Sequence, residues 1–384
     1  MDIYCNEQHQ LLRESVRTFA ESVIKPKARE LDEKETFSVE ITKKMGDMGL
    51  FGMTVPQKFG GQGMDILSYI IAVEEIARVD GSQAATIAAH NSLGIYPIMA
   101  YGSKEQKEKY LPALCTGHAL WAFGLTEPEA GSDSRSSKTT AVAHHGEWII
   151  NGSKMFITNG STPITAGVTV QLVSNIKEGR KEFSTILVDV GTPGFTAVTM
   201  HGKMMWRGSN TSQLFFDNCH VPKKNILGKQ GYGSKIMLNT LDGGRLSIAA
   251  MGLGCAQGAF EMALNYAKER KQFGKNIGKF QVIAFKLADM GMKIELARNM
   301  LYKACWLKQK NKPFGIEAAM AKLYCSEVAK EVTDEAVQIY GGYGLMKDYD
   351  IERFYRDQRL LQIGEGTSEI LRLVISRHFL GSFA

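Results

Sequence analysis

The sequence lacks the signatures of several protein classes. Its six cysteines are at least 20 positions apart, and no Cys-x-x-Cys or His-x-x-x-His spacing occurs, so we expect neither a disulfide framework nor a bound metal. No run approaches about 18 apolar residues, and the N-terminus has no basic region followed by an apolar run, so neither a membrane span nor a secretory signal is predicted. Reduced thiols favour a cytoplasmic protein, with a processed form in the mitochondrial matrix as the alternative.

The chain also lacks a strong excess of charge. Its 46 lysines and arginines against 40 acidic residues give a net charge of +6 over 384 residues. Nucleic-acid-binding proteins usually concentrate basic residues in a stripe or a tail, which this sequence does not do, so no nucleic-acid partner is expected. A hydrophobic content of 44% is enough for a folded core and excludes a disordered chain.

Proline is scarce in the C-terminal part, where Pro313 is the only one in the last 162 residues. Long helices need this scarcity, and residues 229–384 are predicted to form a helical bundle. Residues 1–120 also show helical periodicity. Residues 121–228 contain short β-prone runs between turns, which predict a small barrel or sandwich. The predicted fold is therefore α+β, with an N-terminal helical domain, a middle β domain and a C-terminal helical bundle.

Local signals refine this prediction in the helical parts. Asp65 precedes an amphipathic run as an N-cap would, and Ser103 with Gln106 matches a capping box. The glycine pattern at positions 252, 254 and 258 resembles a dinucleotide-binding fingerprint, but such a fingerprint follows a strand, and this one lies inside a helical stretch. We therefore expect these glycines to let two helices pack closely.

Two segments of the middle part are candidates for a ligand site. Residues 123–133, FGLTEPEAGSD, carry hydroxyls at Thr126 and Ser132, and backbone donors in such a loop can hold a polar ring edge or phosphates. The alternative is an ordinary connection between a helix and a strand. The segment KMFITNG places Phe156 and Thr158 on one face of a strand, which suits a flat heterocycle. The alternative is a core phenylalanine beside a threonine that is satisfied by its own sheet.

Arg270 and Glu365 are the strongest charged candidates. The guanidinium of Arg270 could bind phosphate oxygens, or Arg270 could close a helix that has its C-cap at Gly274. Glu365 lies between two glycines, so its backbone can approach a ligand closely. A buried carboxylate has a raised pKa and can act as a base near neutral pH, whereas a plain turn would leave Glu365 exposed.

Taken together and in this order, these segments resemble the acyl-CoA dehydrogenase family over essentially the whole chain. Residues 125–128 (LTEP) and 130–133 (AGSD) are similar to one family signature, and residues 338–344 (QIYGGYG) and 365–369 (EGTSE) are similar to another. The resemblance implies an FAD enzyme without a Rossmann domain, an acyl-CoA substrate, a homotetramer and an electron-transferring flavoprotein as the electron acceptor.

The resemblance also assigns contacts to individual residues. Those lining the flavin and the thioester are Phe123, Leu125, Thr126 and Ser132. Those against the isoalloxazine ring are Phe156, where many members have Trp, and Thr158. Those reaching the FAD of a neighbouring subunit are Arg270, Gln272, Phe273, Gln281, Gln338, Gly341 and Gly342, and those on the adenine side of their own FAD are Thr367 and Glu369. Those contacting the substrate are Ser132, Asp242, Arg245, Gly364 and Gly366.

The resemblance implies a base and a reaction. Some members carry the base where this chain has Gly244, so the base is assigned to Glu365. Its backbone N–H and a flavin ribityl hydroxyl would polarise the thioester carbonyl. Glu365 would take the α-proton while a hydride leaves the β-carbon for flavin N5, giving a 2-enoyl-CoA. The alternatives are an enoyl-CoA reductase running in reverse and a non-enzymatic, nucleic-acid-binding relative of the fold.

The same resemblance bears on the acyl group. Gly364 stands where many straight-chain members have a tyrosine, and the small residues Ala84, Ala85 and Ala88 are implied to line the nearby pocket. Room close to the reacting carbons predicts a short, branched or cyclic acyl group. The alternative is that another side chain fills this room, because protein cores rarely leave voids.

Overall fold

The N-terminal part of the protein is helical, as predicted. The computed structural model describes residues 4–381. Helices α1–α7 are Glu7–Phe19, Lys25–Lys34, Val39–Asp47, Ile66–Ala77, Gly81–Ala89, Tyr96–Tyr101 and Lys104–Leu114. The Asp65 carboxylate accepts a 2.8 Å hydrogen bond from the N–H of Ser68 at the start of α4, and Ser103 and Gln106 form a capping box on α7. Both predicted helix starts are confirmed.

In the described range the middle part forms one seven-stranded sheet. Strands β1–β7 are Leu120–Gly124, Thr140–His144, Glu147–Thr158, Thr165–Lys177, Arg180–Asp189, Phe195–Thr199 and Thr211–Pro222. Their order is β1-β4-β2-β3-β7-β6, and β5 pairs with β4. Within the β-prone region expected at residues 121–228, β2 and β3 form a hairpin, with Ala141 opposite Ile150. Trp148 and Ile150 belong to the sheet's own buried core.

The C-terminal part is a helical bundle, as predicted. Helices α8–α12 are Gly233–Glu269, Gln281–Gln309, Gly315–Tyr340, Ile351–Asp357 and Ser368–Leu380, and a small hairpin joins α8 to α9 through β8 (Lys271–Gln272) and β9 (Lys275–Asn276). A Cβ added at Gly254 would lie 2.2 Å from the carbonyl oxygen of Glu74, and one at Gly258 would lie 2.1 Å from that of Arg78. These glycines let α8 contact α4 closely, so the dinucleotide fingerprint is excluded.

Three further observations complete the fold. The helical and β parts meet between Leu114 and Leu120 and between Pro222 and Gly233, while the domain limits 1–120, 121–228 and 229–384 stay a prediction. Within residues 4–381, no helix is long and apolar enough to cross a membrane. The described residues also contain no group of three or more His, Cys, Asp or Glu side chains that could hold a metal ion.

Candidate active site

Glu365 lies in a short loop that leads into α12. The loop follows the helical turn Gln358–Gln362, and its backbone is left-handed, with φ +52° at Glu365 and +101° at Gly366. A left-handed residue other than glycine costs about 1–2 kcal/mol, and such strain persists only where the surrounding structure holds it. The hydroxyl of Thr367 then accepts a 3.2 Å hydrogen bond from the N–H of Ile370 and caps α12. The local turn therefore fixes the direction of the Glu365 side chain.

The carboxylate of Glu365 is buried against α8. Part of the residue is accessible to solvent, but Oε2 is buried and has no hydrogen-bond partner among the described residues. A Cβ added at Gly244 would lie 2.0 Å from this oxygen, so the carboxylate needs a glycine there. Burial raises the pKa of Glu365 to about 7, against the opposing charges of Lys322 and Arg245. The alternative of an exposed surface turn does not hold, because the carboxyl group is buried against α8.

Asp242 and Arg245 lie beside Gly244 on α8. Arg245 Nη1 donates a 2.6 Å hydrogen bond to Asp242 Oδ1, and the arginine side chain is buried. Arg245 Nε is also buried, with no partner among the described residues. Gly244 adjoins Glu365, so the structure brings together Asp242, Arg245 and Glu365, which the sequence analysis had named as site residues. The Nε–H of Arg245 is therefore a buried donor that no described residue uses.

The loop after β1 is held by a buried ion pair that our sequence analysis missed. The ammonium of Lys154, in β3, donates hydrogen bonds to Glu127 Oε1 at 2.7 Å and to the carbonyl of Leu125 at 3.1 Å. The carbonyl of Thr126 accepts a 2.8 Å bond from the N–H of Met155. The only signal in the sequence was a lysine directly before the apolar residues 155–157 of a β-prone segment. The pair fixes residues 125–127 beside the end of β3.

The other residues assigned to this loop differ in exposure. Phe123 is buried in β1, at 7% exposure, whereas Ser132 is exposed beyond the loop. The alternative of a connection between a helix and a strand is wrong, because this loop follows β1 and leads to β2. Its Leu125 and Thr126 lie where a ligand bound against β3 could reach their backbone groups.

A bulge in β3 exposes Phe156. The pairing with β7 shifts between Lys154 and Ile157, and Phe156 has φ +62°. The expectation of a regular strand with simple alternation is wrong here, because the bulge inserts a residue. Lys154 and Ile157 are both buried, whereas Phe156 is 62% exposed and Thr158 is partly exposed. The alternative of a core phenylalanine therefore does not hold, and the ring offers a flat apolar surface.

A second group of predicted residues surrounds a cavity of about 470 Å³ near the C-terminal end of α10. Its lining includes Arg270, Gln272, Gly341 and Gly342. The guanidinium carbon of Arg270 lies 5.2 Å from the centre of the Tyr343 ring. A Cβ added at either glycine would meet no atom within 4 Å, so the cavity is open at this point. A cation, an amide and open backbone together suit a phosphate-bearing ligand.

The segment around Gly274 is not the end of a helix, which was the alternative given for Arg270. α8 ends at Glu269, and Gly274 lies in the turn of the β8–β9 hairpin, with φ +78° after +51° at Phe273. A helix C-cap at Gly274 is therefore wrong, because the chain turns into a hairpin with two left-handed residues. Phe273 is 92% exposed at the tip of this hairpin. The exposed Gln281 begins α9, and the exposed Gln338 lies in the last turn of α10.

Within one chain, the residues around Glu365 and those around the Arg270 cavity lie apart. Lys322 of α10 contacts the Glu365 loop through a 2.6 Å hydrogen bond to the carbonyl of Gly366. Gln338 lies 16 residues later on the same helix, which is about 24 Å along its axis. The cavity beside Arg270 is therefore distant from Glu365 within a single copy of the protein.

The alanines implied to line the acyl pocket are buried in α5: Ala84, Ala85 and Ala88. His90, which follows α5, uses both ring nitrogens structurally. Nε2 lies 2.9 Å from the carbonyl oxygen of Leu114, and Nδ1 lies 3.0 Å from the backbone nitrogen of Trp121. Asn91 similarly bridges the backbone of Leu50 and Gly52. His90 and Asn91 therefore hold neighbouring backbone segments in place, and the pocket-lining role of the three alanines stays a prediction.

Comparison with known proteins identifies the family. Models of the N-terminal, middle and C-terminal domains of acyl-CoA dehydrogenase match residues 6–118, 122–219 and 231–380. The chain belongs to the acyl-CoA dehydrogenase family. It is 47% identical to "Probable acyl-CoA dehydrogenase YngJ" of Bacillus subtilis over 99% of this chain and 100% of that protein. It is 46% identical to "Acyl-CoA dehydrogenase, short-chain specific" of Clostridium acetobutylicum, covering 98% and 99%.

Solved structures agree with this assignment. Butyryl-CoA dehydrogenase from Megasphaera elsdenii has a TM-score of 0.95 and 42% identity, with 99% of this chain and 100% of that chain covered. An acyl-CoA dehydrogenase complexed with FAD, from Bacillus anthracis, has a TM-score of 0.91 and 34% identity, with 98% and 67% covered. The protein is an acyl-CoA dehydrogenase-type oxidoreductase and uses FAD.

The residues described above fit this cofactor. The exposed ring of Phe156 can cover a planar heterocycle, and the buried Oδ1 of Asn159 has no partner among the described residues. Arg270 and the open backbone at Gly341 and Gly342 suit the phosphate-bearing part. Both kinds of surface that FAD requires are therefore present in the chain.

Proposed function

We propose that the protein removes the α- and β-hydrogens of a short, branched or cyclic acyl-CoA to give the 2-enoyl-CoA, with Glu365 as the base. The observation that carries the proposal is the buried, unpartnered Oε2 of Glu365 above Gly244. A carboxylate in such a place is strengthened as a base by the loss of water around it. Asp242 and Arg245 would orient the thioester beside it.

The residues of this chain would act on the substrate as follows. The backbone N–H of Glu365 would donate a hydrogen bond to the thioester carbonyl and so make the α-proton more acidic. The carboxylate of Glu365 would take that proton. Phe156 and Thr158 would hold the cofactor, and Leu125 and Thr126 would bind its polar edge. When bound, FAD supplies the hydride acceptor for the hydrogen that leaves the β-carbon.

The assembly is part of the proposal. Arg270, Gln272 and Gln338 would bind the FAD of a neighbouring subunit, with Phe273, Gln281, Gly341 and Gly342 beside them. The distance of about 24 Å along α10 supports this arrangement, because a second copy can place the Arg270 cavity nearer to the first copy's site. A homotetramer follows, with Thr367 and Glu369 on the adenine side of their own FAD. An electron-transferring flavoprotein would reoxidise the flavin.

The acyl group is proposed from the pocket. A Cβ added at Gly364 would make only ordinary contacts with Leu360, at 3.6 Å, so no neighbouring side chain crowds this position. The relatives named short-chain specific and butyryl-CoA dehydrogenase support a short acyl group. The same residues would serve the reverse reduction of an enoyl-CoA. The ratio of the rates of dehydrogenation and reduction distinguishes a dehydrogenase from a reductase.

The location in the cytoplasm likewise stays a proposal.

The test is Glu365→Gln, which keeps the shape and removes the proton acceptor. Flavin reduction by butyryl-CoA should slow by at least about a thousandfold, while FAD and butyryl-CoA still bind. Glu178→Gln is the matched control, because Glu178 also has a positive φ, +51°, but lies exposed in a turn between β4 and β5. Near-normal reduction by Glu365→Gln would remove the assignment.

The pH dependence gives a second measure of the same base. With the pKa of Glu365 at about 7, kcat/KM should rise as the pH increases through 7, because only the ionised carboxylate accepts the proton. The acid limb should be absent from the residual activity of Glu365→Gln. An acid limb near pH 4.5 in the unsubstituted protein would contradict a buried base.

A further inference from the structure

Lys322 is a buried cation whose position the proposed reaction does not explain. It lies in α10, 0% exposed, and its Nζ donates a 2.6 Å hydrogen bond to the carbonyl of Gly366. Burying an ammonium is costly, and burial lowers the pKa of Lys322 to about 8 although the charge of Glu365 opposes this shift. A methionine or leucine would fill the same space between helices at no such cost.

The hydrogen bond from Lys322 reaches the part of the Glu365 loop whose backbone is left-handed. Gly366 has φ +101° and directly follows Glu365, whose φ is +52°. Lys322 fixes the carbonyl of Gly366 on one side, and the Thr367 cap fixes the start of α12 on the other. The two contacts together hold the Glu365 carboxylate under Gly244, because the loop cannot turn without breaking one of them.

The charges around Glu365 come from several elements. Arg245 of α8 is the other cation that acts on Glu365, and its own charge is shared with Asp242 at 2.6 Å. On α4, burial raises the pKa of Tyr69, and the charge of Glu365 adds to this shift. Arg245 therefore has a salt-bridge partner, whereas Lys322 has none within 4 Å among the described residues.

Two acidic residues lie on the other side of Lys322. Glu327, one turn and a half further along α10, accepts hydrogen bonds from Ser368 at 3.0 Å and Gln362 at 2.9 Å, and lies 3.4 Å from Arg372. Glu369 is exposed in the first turn of α12. Glu327 already has its own partners and Glu369 faces solvent, so the ammonium of Lys322 remains directed to the Glu365 loop.

We propose that Lys322 is a positioning residue, whose ammonium holds the Gly366 carbonyl and supplies a positive charge beside the carboxylate of Glu365. This inference rests on the proposed role of Glu365 as the base. It assigns to Lys322 two separable effects, one on the loop and one on the charge of the carboxylate.

The experiment is Lys322→Met, which keeps the length and apolar stem but removes both the donor and the charge. The acid limb of kcat/KM should move up by at least about one pH unit, since an opposite charge nearby lowers a carboxyl pKa by about one to three units. The rate at pH 7 should fall about fivefold or more, and most of this loss should vanish at pH 9. Lys330→Met, an exposed site on the same helix, is the matched control and should keep the profile.

Two further variants separate the effects and cover a failure of Lys322→Met to fold. Lys322→Arg keeps a charge and should leave the acid limb nearly in place. Lys322→Gln keeps a donor without charge and should shift the limb as Lys322→Met does. A limb that stays in place in Lys322→Gln, or that moves equally in Lys322→Arg and Lys322→Gln, would overturn the charge effect.

A measurement without turnover keeps this inference distinct from the proposed function. Infrared pH-difference spectra of each variant, minus those of its Glu365→Gln counterpart, isolate the protonation of Glu365. We expect protonation at higher pH in Lys322→Gln than in the unsubstituted protein. An unchanged titration would refute the inference even if Glu365→Gln is inactive. Near-normal flavin reduction by Glu365→Gln would instead remove the proposed base, and the infrared titration would still test whether Lys322 shifts the protonation of Glu365.

Discussion

The buried pair of Lys154 and Glu127 gives the sharpest prediction about stability. Their side chains are 0% and 6% exposed, and the two charges lie 2.7 Å apart. Burial alone would raise the pKa of Glu127, but the Lys154 ammonium and a hydrogen bond from the N–H of Lys138 outweigh it and hold the pKa below its usual value. Lys154→Met would leave this carboxylate buried without its cation.

The expected loss is large for a single substitution. Removing one partner of a buried pair costs about 3–5 kcal/mol, because the remaining charge is uncompensated. The matched control is Lys138→Met, which removes the partner of Glu129 in a pair that is 72% and 71% exposed. Exposed pairs contribute about 0–1 kcal/mol, so the control should change the free energy of unfolding little.

The assay is urea unfolding followed by tryptophan fluorescence, because Trp121 and Trp148 lie in β1 and β3. The double variant Lys154→Met/Glu127→Gln should recover much of the loss, since it leaves no unpaired charge. Lys154→Met should also release FAD more readily, because Leu125 loses a contact that fixes its loop. The reasoning is refuted if Lys154→Met costs no more than Lys138→Met, or if the double variant recovers nothing.

Two further predictions concern the assembly and the substrate. Arg270→Ala should lower FAD occupancy and weaken subunit association together, because binding and association are linked; a fully active monomer with tightly bound FAD, measured by light scattering and absorbance, would contradict this. Gly364→Tyr should fold normally, since its backbone is not left-handed, and should lower kcat/KM more for isobutyryl-, isovaleryl- and cyclohexanecarboxyl-CoA than for butyryl-CoA. A preference for palmitoyl-CoA, or an equal effect on all substrates, would exclude the open pocket.

Much of the fold could be predicted because its signals are local. The caps at Asp65 and Ser103 depend on hydrogen bonds three residues apart, and the hairpin between β2 and β3 depends on a turn between short β-prone runs. The absence of proline in residues 229–312 similarly allowed the long helices. The two glycines beside Glu365 are also a local signal of an unusual backbone, whereas its assignment as the base came from the family resemblance.

The rest was decided by contacts between distant parts of the chain. The bulge at Phe156 depends on its pairing with β7, and no local pattern predicts it. The hairpin at Gly274 is local, since Lys271 pairs with Asn276, but a helix C-cap was equally consistent with the same residues.

The electrostatics of the site shows this division most clearly. The sequence alone made Glu365 a candidate, but it did not determine whether the carboxylate of Glu365 was exposed. Gly244, 121 positions before Glu365, adjoins the Oε2 atom of that residue. Lys322, 44 positions before Gly366, donates a 2.6 Å hydrogen bond to the carbonyl of Gly366. Burial and neighbouring charges set a pKa, and both arise only when distant helices pack together.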